Sequence, residues 1–228
     1  MANRPVFLPI EKKGPLFREV SIEFDWHKGM APSQKRKNVV ELHVAAQAVG
    51  ISPILEVSTK SDLELGRRLS AFRLDVELHG IRSKIECVYQ ASKVFEKGGP
   101  FPELVEVEPI IAKRFFKEKS LGLITHFEFR GVRYKNRPFH AYYDWLFVRA
   151  LSPHQEFLKK TLAEFEGYSD IEFNPSKSIN TQARSVAIFH SLLSRGDLSK
   201  AQDDYLFFQS SLEKNEKKHS TQIHLGFD

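Results

Sequence analysis

The 228-residue chain contains 34 Lys and Arg against 29 Asp and Glu, which gives a formal charge of +5, and 41% of its residues are hydrophobic. This composition excludes collagen-like and disordered proteins and predicts a globular protein whose modest basic excess favours a polyanionic partner. The single cysteine, Cys87, excludes an internal disulfide and a cysteine-based zinc site. Since the sequence has no signal-like N-terminus and no run of about 18 apolar residues, we expect a soluble cytoplasmic protein without a membrane partner.

The first half of the chain alternates predicted strands and helices. Alternating apolar residues indicate the strands, and apolar residues at helical spacing, followed by glycine or proline, indicate the helices and their ends. The predicted elements are a strand over 20–26, a helix from Pro32 to Gly50, strands over 54–57 and 74–78, and a helix over 83–95.

The second half is predicted to be mainly helical. In chain order we expect a helix over 109–117, a strand over 124–129, turns over 131–138, a buried aromatic helix over 140–151, and helices over 153–167, 181–193 and 199–212. No low-complexity linker divides the chain. We therefore predict one α+β domain over residues 1–212, mainly helical around a small β-sheet, followed by a polar tail over 213–228.

The helix predicted over 83–95 combines apolar and polar residues. At helical period Glu86, Gln90 and Lys93 share one face, with about 10 Å between Glu86 and Lys93 along the axis at about 1.5 Å per residue. A small ligand can span that distance. A solvated helix surface has the same pattern, so the spacing leaves both interpretations open.

Two loops are rich in polar side chains. Glu56, Ser58 and Lys60 follow a predicted buried strand, where hydroxyls, a cation and backbone amides can receive a phosphate; an ordinary surface turn is the alternative. The loop over 169–180 contains carboxylates, amides, hydroxyls and a lysine. It either builds a site, or its polar residues only cap and turn the chain.

Other signals for chemistry are weak. Trp145, next to an aspartate, predicts either an aromatic wall beside an acid or ordinary core packing. The sequence has no Walker A loop, no dinucleotide-binding fingerprint and no GxSxG elbow. Nine histidines occur without a His-x-x-x-His pair, so no metal site and no cofactor are expected.

The order of several motifs resembles the NADAR family. A Leu-Ser-Asn-Phe-like element at 69–72 is followed by a strand, by the Glu-x-x-x-Gln-x-x-Lys segment that contains Glu86 and Lys93, and by a Pro-x-x-Ala-Lys-like element at 109–114. The resemblance covers about residues 55–180. Ala71 replaces the usual Asn, Cys87 replaces a common His, and residues 170–174 match the closing Asp-x-x-Trp-Gly motif only loosely.

The long N-terminal region, the Gly-Gly-Pro at 98–100 and the Asp-Ile-Glu-Phe-Asn-Pro loop at 170–175 resemble the NADAR subgroup encoded beside DarT-type DNA ADP-ribosyltransferase toxins. This resemblance implies an N-glycosidase that removes ADP-ribose from guanine in DNA, RNA or a nucleotide, and thereby acts as the antitoxin of a cognate toxin. One alternative is an N-glycosidase acting on phosphorylated ribosylamine metabolites of the riboflavin pathway. Another is a non-catalytic module that binds ADP-ribose or neutralises a toxin by contact.

The resemblance also implies roles for individual residues. Glu86 would support an oxocarbenium-like centre and orient water, and Lys93 would either form an imine with a ring-opened ribose or position Glu86. The other residues predicted to contact the substrate, through its phosphates, ribose or base, are Glu56, Ser58, Lys60, Ser70, Phe72, Tyr89, Gln90, Lys113, Arg114, Trp145, Asp170, Glu172, Lys177 and Asn180.

Overall fold

Strands from both ends of the chain meet in the computed structural model, which describes residues 1–29 and 31–213. The strands are β1 (Ala2–Pro9), β2 (Phe17–Phe24), β3 (Ile54–Glu56), β4 (Asp75–Leu78), β5 (Ile81–Lys84), β6 (Lys93–Phe95), β7 (Ile124–Phe129), β8 (Val132–Lys135) and β9 (Gly167–Ser169). The α-helices are α1 (Pro32–Ala48), α2 (Glu64–Arg68), α3 (Ile85–Ala91), α4 (Pro109–Arg114), α5 (Ala141–Leu151), α6 (Gln155–Leu162), α7 (Gln182–Arg195) and α8 (Leu198–Asp203), and residues 205–213 are also helical.

These strands form three small sheets. The first has the order β2-β1-β9-β3, in which β1 pairs antiparallel with β2 and β9, and β3 pairs parallel with β9. The second is the β4-β5 hairpin, and the third is the antiparallel sheet β6-β7-β8. Helices and small mixed sheets therefore make a single α+β domain, as predicted.

Tight turns join the two short hairpins. His79 and Gly80 lie between β4 and β5, and Arg130 and Gly131 lie between β7 and β8; all four have positive φ. Two consecutive residues with positive φ are the geometry of a two-residue type I′ turn, whose twist matches that of the flanking strands. Both turns hold the second strand of the hairpin against the first.

The centre of the domain is α5, a helix that is buried at every position except Arg149. It packs against α7 and α3 within the main hydrophobic core. A smaller core lies between α1 and the first sheet, where Leu42 and Ala46 join Val6 and Ile22. Since α5 has almost no solvated face, its polar side chains must find partners inside the protein.

The ends of the predicted helices are the main errors of the sequence analysis. The helix predicted over 83–95 is shorter, because residues 81–84 pair with β4 and residues 93–95 pair with β7. The helix predicted over 199–212 is interrupted at Asp204, whose backbone is extended. Of the predicted polar tail, only Glu213 lies within the described residues, and it is helical.

The strands that the sequence analysis did not predict are β1, β5, β6, β8 and β9. β5 and β8 are mostly exposed or half-buried edge strands, so their residues lack a regular apolar alternation. β6 and β9 have only three residues each, and β1 contains Pro5 and Pro9. Pairing with distant strands, rather than local pattern, determines these elements.

A buried ion pair connects α5 to α7. Asp144 is fully buried and accepts hydrogen bonds from Arg184 Nε at 3.0 Å, Ser185 Oγ at 2.6 Å and His140 Nδ1 at 2.7 Å. Burial disfavours the carboxylate, but Arg184 and His140 outweigh it and hold the pKa of Asp144 below its usual value. Arg184 also donates from Nη1 to the carbonyl of Ile179 at 2.7 Å, so the pair holds the segment that precedes α7.

Asp144→Asn is expected to lower the free energy of unfolding by about 3–5 kcal/mol, because it leaves the Arg184 guanidinium buried without a compensating charge. Urea denaturation followed by circular dichroism measures this difference. Asp25→Asn, at an exposed carboxylate, is the matched control and is expected to leave the midpoint unchanged. Equal stability of the two variants would contradict the role of the buried pair.

The effect of Asp144→Asn also depends on pH. Because the folded pKa of Asp144 is lowered, its ionised form stabilises the protein above the unfolded pKa, about 3.9, and this contribution is lost as the pH falls through the folded value. The stability difference between wild type and variant is therefore expected to be full at neutral pH and to shrink on acidification below about pH 4.

Candidate active-site cleft

A cleft of about 500 Å³ lies between α3, the third sheet and the segment before α7. The predicted site residues that line it are Glu86, Tyr89, Gln90, Lys93, Lys113, Lys177 and Asn180. These residues are far apart in the sequence, and the fold brings them to one concave surface. The structure therefore joins the helix pattern and part of the polar loop into a single candidate site.

Glu86 and Gln90 belong to a helix without a solvated face. All seven residues of α3 are buried, so the interpretation of this helix as an ordinary solvated surface was wrong. Gln90 Nε2 donates a hydrogen bond of 2.8 Å to Glu86 Oε1. Glu86 Oε2 has no hydrogen-bond partner within residues 1–29 and 31–213, which leaves one carboxylate oxygen for a ligand or water.

Lys93 lies beyond the helix on which it was predicted. α3 ends at Ala91, and Lys93 is the first residue of β6, paired with Phe127. Its ammonium lies 4.8 Å from the ring centroid of Tyr89 and 5.2 Å from that of Phe116. The described part of the chain gives Lys93 Nζ neither a hydrogen bond nor an ion pair, so this amine is available to a ligand.

Burial lowers the pKa of Lys93 to about 8, although the nearby charge of Glu86 raises it. The amine is therefore partly neutral near physiological pH, unlike an exposed lysine with its pKa near about 10.4. Gly99 contributes to this position: with φ at +110° it lies so close to β6 that a Cβ there would be 2.3 Å from the Lys93 carbonyl oxygen. Only glycine fits at that contact.

The segment before α7 covers the cleft and is held at its end. Asn180 Nδ2 donates a hydrogen bond of 2.7 Å to the Tyr89 hydroxyl, and Arg184 binds the carbonyl of Ile179. Tyr89 in turn packs edge-on against Tyr143, with 5.1 Å between the ring centroids. Burial raises the pKa of Tyr89, so its hydroxyl stays neutral and remains a donor.

Two acceptor oxygens of the cleft have no partner among the described residues. These are Gln90 Oε1 and Asn180 Oδ1, both of which are buried. A buried amide oxygen without a hydrogen bond is costly, so a ligand with hydroxyl or N–H groups would gain by binding here. Lys113 and Lys177 are exposed and add positive charge to the same cleft.

Hydrogen bonds within the protein hold the loop that was predicted to bind a phosphate. Glu56 is buried, and its carboxylate accepts hydrogen bonds from Ser58 Oγ at 2.5 Å, Ser169 Oγ at 2.6 Å and the Ile171 amide at 2.9 Å. Lys60 donates its backbone amide to Ser58 Oγ, at 3.1 Å. Glu56, Ser58 and Lys60 do not line the cleft, and their contact with a phosphate stays a prediction.

Asp170 turns the chain and caps the start of α7. This is the structural one of the two roles that the sequence allowed for the loop over 169–180. Its carboxylate accepts hydrogen bonds from the amides of Glu172 and Gln182 and from the Thr181 hydroxyl, at 3.2, 3.4 and 3.2 Å. Burial raises the pKa of Asp170. The pKa of Glu56 is raised as well, by burial and by the nearby charge of Asp170. Glu172 points away to an ion pair of 2.6 Å with Lys35.

The remaining predicted residues also lie outside the cleft. Trp145 belongs to the core, where its Nε1 donates to the carbonyl of Ala201 at 3.0 Å. Ser70 is fully buried and accepts a hydrogen bond from the Phe72 amide at 3.3 Å. Phe72 contacts the cleft only indirectly, under the Lys113 ammonium at 5.1 Å from its ring centroid, and Arg114 is exposed at the end of α4.

Sequence reasoning missed residues from segments that are distant from the motifs. They are Ile124, Phe127, Asn136, Phe139, Tyr143, Pro175, Ser176, Ser178 and Ile179. The aromatic helix and the polar loop pointed to the segments of Tyr143 and of residues 175–179 without singling out these side chains. Nothing in the local pattern of 124–139 indicated that the third sheet lines a site.

A family model described as DarT1-associated NADAR antitoxin matches residues 2–222 of the chain. The chain belongs to this family. The resemblance to NADAR proteins, including the subgroup beside DarT-type toxins, is thereby confirmed. A NADAR antitoxin of this kind implies a cognate DarT1 toxin as its partner. A comparison with curated proteins found no match.

Within residues 1–29 and 31–213 of this NADAR protein, none of the helices has both the length and the apolar character of a membrane span. The same part of the chain contains no group of three or more His, Cys, Asp or Glu residues arranged to hold a metal ion.

The reactivity of Lys93 towards an amine-selective reagent is expected to rise with pH, with a midpoint of about 8, because only the neutral amine reacts. Pulse labelling and peptide mass spectrometry measure the midpoint. Labelling of the exposed Lys12 in the same samples corrects for hydrolysis of the reagent at each pH. Glu86→Gln removes a charge that raises the pKa of Lys93, so the midpoint is expected to fall in that variant. A midpoint near about 10.4 would show a solvated ammonium instead.

Proposed function

We propose that this antitoxin is an N-glycosidase that removes ADP-ribose from guanine bases in DNA and so reverses the modification made by its toxin. The observation that carries the proposal is the Glu86 carboxylate, buried in the cleft with one oxygen held by Gln90 and the other without a partner in the described residues. A carboxylate beside the anomeric carbon is the group that glycosidic cleavage requires. Membership of the DarT1-associated family supports the choice of substrate.

In the proposed reaction, the bond between C1 of the ribose and a guanine nitrogen breaks as positive charge develops on C1 and the ring oxygen. Glu86 Oε2 stabilises this charge and accepts a proton from the attacking water, whose oxygen forms the new bond to C1. Guanine leaves with the bonding electron pair and takes up a proton. Gln90 orients the carboxylate through its hydrogen bond to Oε1.

Lys93 gives a second version of the same reaction. After the ribose ring opens, the neutral amine adds to C1, expels guanine and forms an imine, which water then hydrolyses to ADP-ribose and the free amine. The pKa of Lys93, lowered to about 8 by burial, supports this route because it raises the fraction of neutral amine. In the direct route, Lys93 remains a charge that positions the substrate.

The rest of the cleft fits the donors and charges of ADP-ribose. The unpaired oxygens of Gln90 and Asn180 accept hydrogen bonds from ribose hydroxyls. Lys113 and Lys177 supply the positive charge that the two phosphates need. A volume of about 500 Å³ is within the range of small-molecule sites.

Glu86→Gln is expected to lower kcat on an ADP-ribosylated oligonucleotide by about 100-fold or more, because the neutral amide cannot stabilise positive charge or accept the proton of water. Release of ADP-ribose, followed by chromatography, measures the rate. Glu103→Gln, at an exposed carboxylate, is the matched control and is expected to keep wild-type turnover.

The same assay separates the three candidate functions. Full turnover by Glu86→Gln would show that this carboxylate is not catalytic. Turnover of a phosphorylated ribosylamine but not of the oligonucleotide would assign the protein to metabolite chemistry. Tight binding of ADP-ribose without release from any modified base would identify a non-catalytic module.

The imine route predicts covalent trapping at Lys93. Borohydride added during turnover is expected to reduce the imine and to attach ADP-ribose to the wild type but not to Lys93→Ala. Because the free amine is the nucleophile, the yield of adduct is expected to increase as the pH rises towards about 8 and then to level off. Active turnover without any adduct, at every pH, would favour direct attack by water.

A further inference from the structure

A ridge of four residues, 136–139, separates the cleft from a second cavity. Asn136 lines both, Phe139 lines the cleft, and Arg137 lines the second cavity, which has a volume of about 620 Å³. The two cavities therefore adjoin at Asn136. A chain-like ligand seated in the cleft can continue over the ridge into the second cavity.

The ridge presents an exposed aromatic ring on a fixed base. Phe139 is 42% exposed, and the guanidinium carbon of Arg137 lies 3.7 Å from its ring centroid. Two hydrogen bonds anchor the backbone beneath: Asn136 Nδ2 donates to the Ile124 carbonyl at 2.6 Å, and Gln209 Nε2 donates to the Arg137 carbonyl. A large apolar side chain beside a polar cleft, on anchored backbone, suits a stacking contact.

Positive charges continue from the ridge along β8, the edge strand of the third sheet. Arg133, Lys135 and Arg137 alternate in the sequence, are all exposed, and line the second cavity. Arg133 and Lys135 lie on β8, where alternate residues share a side and are about 6.7 Å apart, and Arg137 follows two residues after the strand ends. That spacing is similar to the distance between successive phosphates in an extended strand of nucleic acid. Within the described part of the chain these three cations form no ion pairs, although Asp203 and Asp204 also line the cavity.

We propose that the ridge binds the nucleotide next to the modified guanosine. Its base stacks on Phe139, and the adjoining phosphates contact Arg137 and Lys135, so the strand runs from the cleft over the ridge. Stacking on aromatic rings together with cations along the backbone is how proteins hold single-stranded nucleic acid without reading its sequence. This inference rests on the proposed function and adds a contact outside the cleft that a DNA strand makes and a free nucleotide does not.

The test compares kcat/KM for two substrates with the same ADP-ribosylated guanosine, one a mononucleoside and the other the centre of a single-stranded oligonucleotide. Phe139→Ala is expected to lower the ratio of oligonucleotide to mononucleoside kcat/KM by about tenfold, through KM, because one stacking contact is lost. Phe139→Trp is expected to restore the ratio. Phe157→Ala, at an exposed phenylalanine on α6, is the matched control and is expected to leave it unchanged.

Salt dependence tests the cations separately. Arg137→Ala is expected to reduce the slope of log KM against log salt concentration by about 0.7, the value for one phosphate contact with a single strand. Arg36→Ala, at an exposed arginine on α1, is expected to keep the slope.

Each negative outcome has a distinct meaning. An unchanged ratio in Phe139→Ala would overturn the ridge proposal while leaving the N-glycosidase intact. The same unchanged ratio, with weaker binding of the toxin, would assign the ridge to a protein contact. If the wild type hydrolyses neither substrate, the proposed function fails, and anisotropy with unmodified single-stranded oligonucleotide decides the ridge: equal affinity of wild type and Phe139→Ala would overturn it.

Discussion

The position of the cleft depends on the buried pair of Asp144 and Arg184. A carboxylate without solvent contact must be compensated inside the protein, and Arg184, His140 and Ser185 provide that compensation. Arg184 has one donor directed elsewhere, to the carbonyl of Ile179. The group that makes burial of α5 possible therefore also holds the segment that covers the cleft. The same guanidinium thus belongs both to the core and to the wall of the site.

A second buried carboxylate holds the other end of the same segment. Asp170 turns the chain after β9 and accepts hydrogen bonds from Thr181 and Gln182 at the start of α7. Gln182 extends this network to the first half of the chain, because its side-chain oxygen accepts a hydrogen bond of 2.7 Å from the Ala71 amide. The exposed residues 175–178 thus lie between two anchored ends. Lys177 is the residue among them whose charged side chain lines the cleft and is exposed to a ligand.

The pattern of apolar residues along the sequence predicted helices and strands whose two faces differ in polarity. It failed for elements that form only by pairing with strands distant in the sequence. The helix of Glu86 and Gln90 follows from apolar period, but its end does not, because Lys93 leaves the helix only to pair with Phe127 in β7. Motif order selected Glu86, Gln90 and Lys93 together, and these residues do line one cleft. Residues 136–139 escaped prediction, since nothing local shows that a turn-rich segment borders a cavity built by α3. The periodicity of apolar residues along the sequence carries no information about a tertiary contact of this kind.

Two buried glutamates show why residue type and burial cannot by themselves identify a site. Glu56 and Glu86 are 3% and 5% exposed, yet Glu56 has both oxygens bound by Ser58, Ser169 and the Ile171 amide. Burial and Asp170 raise the pKa of Glu56, whose carboxyl group ties β3 to β9 and the loop that follows. Glu86 has one oxygen held and the other open to a cleft that also contains the Lys93 amine, which has neither a hydrogen bond nor an ion pair within the described residues. A side chain whose hydrogen bonds are complete stabilises the fold. A side chain that is buried and oriented but still lacks a hydrogen-bond partner retains the capacity to act on a ligand, and of these two glutamates that is Glu86.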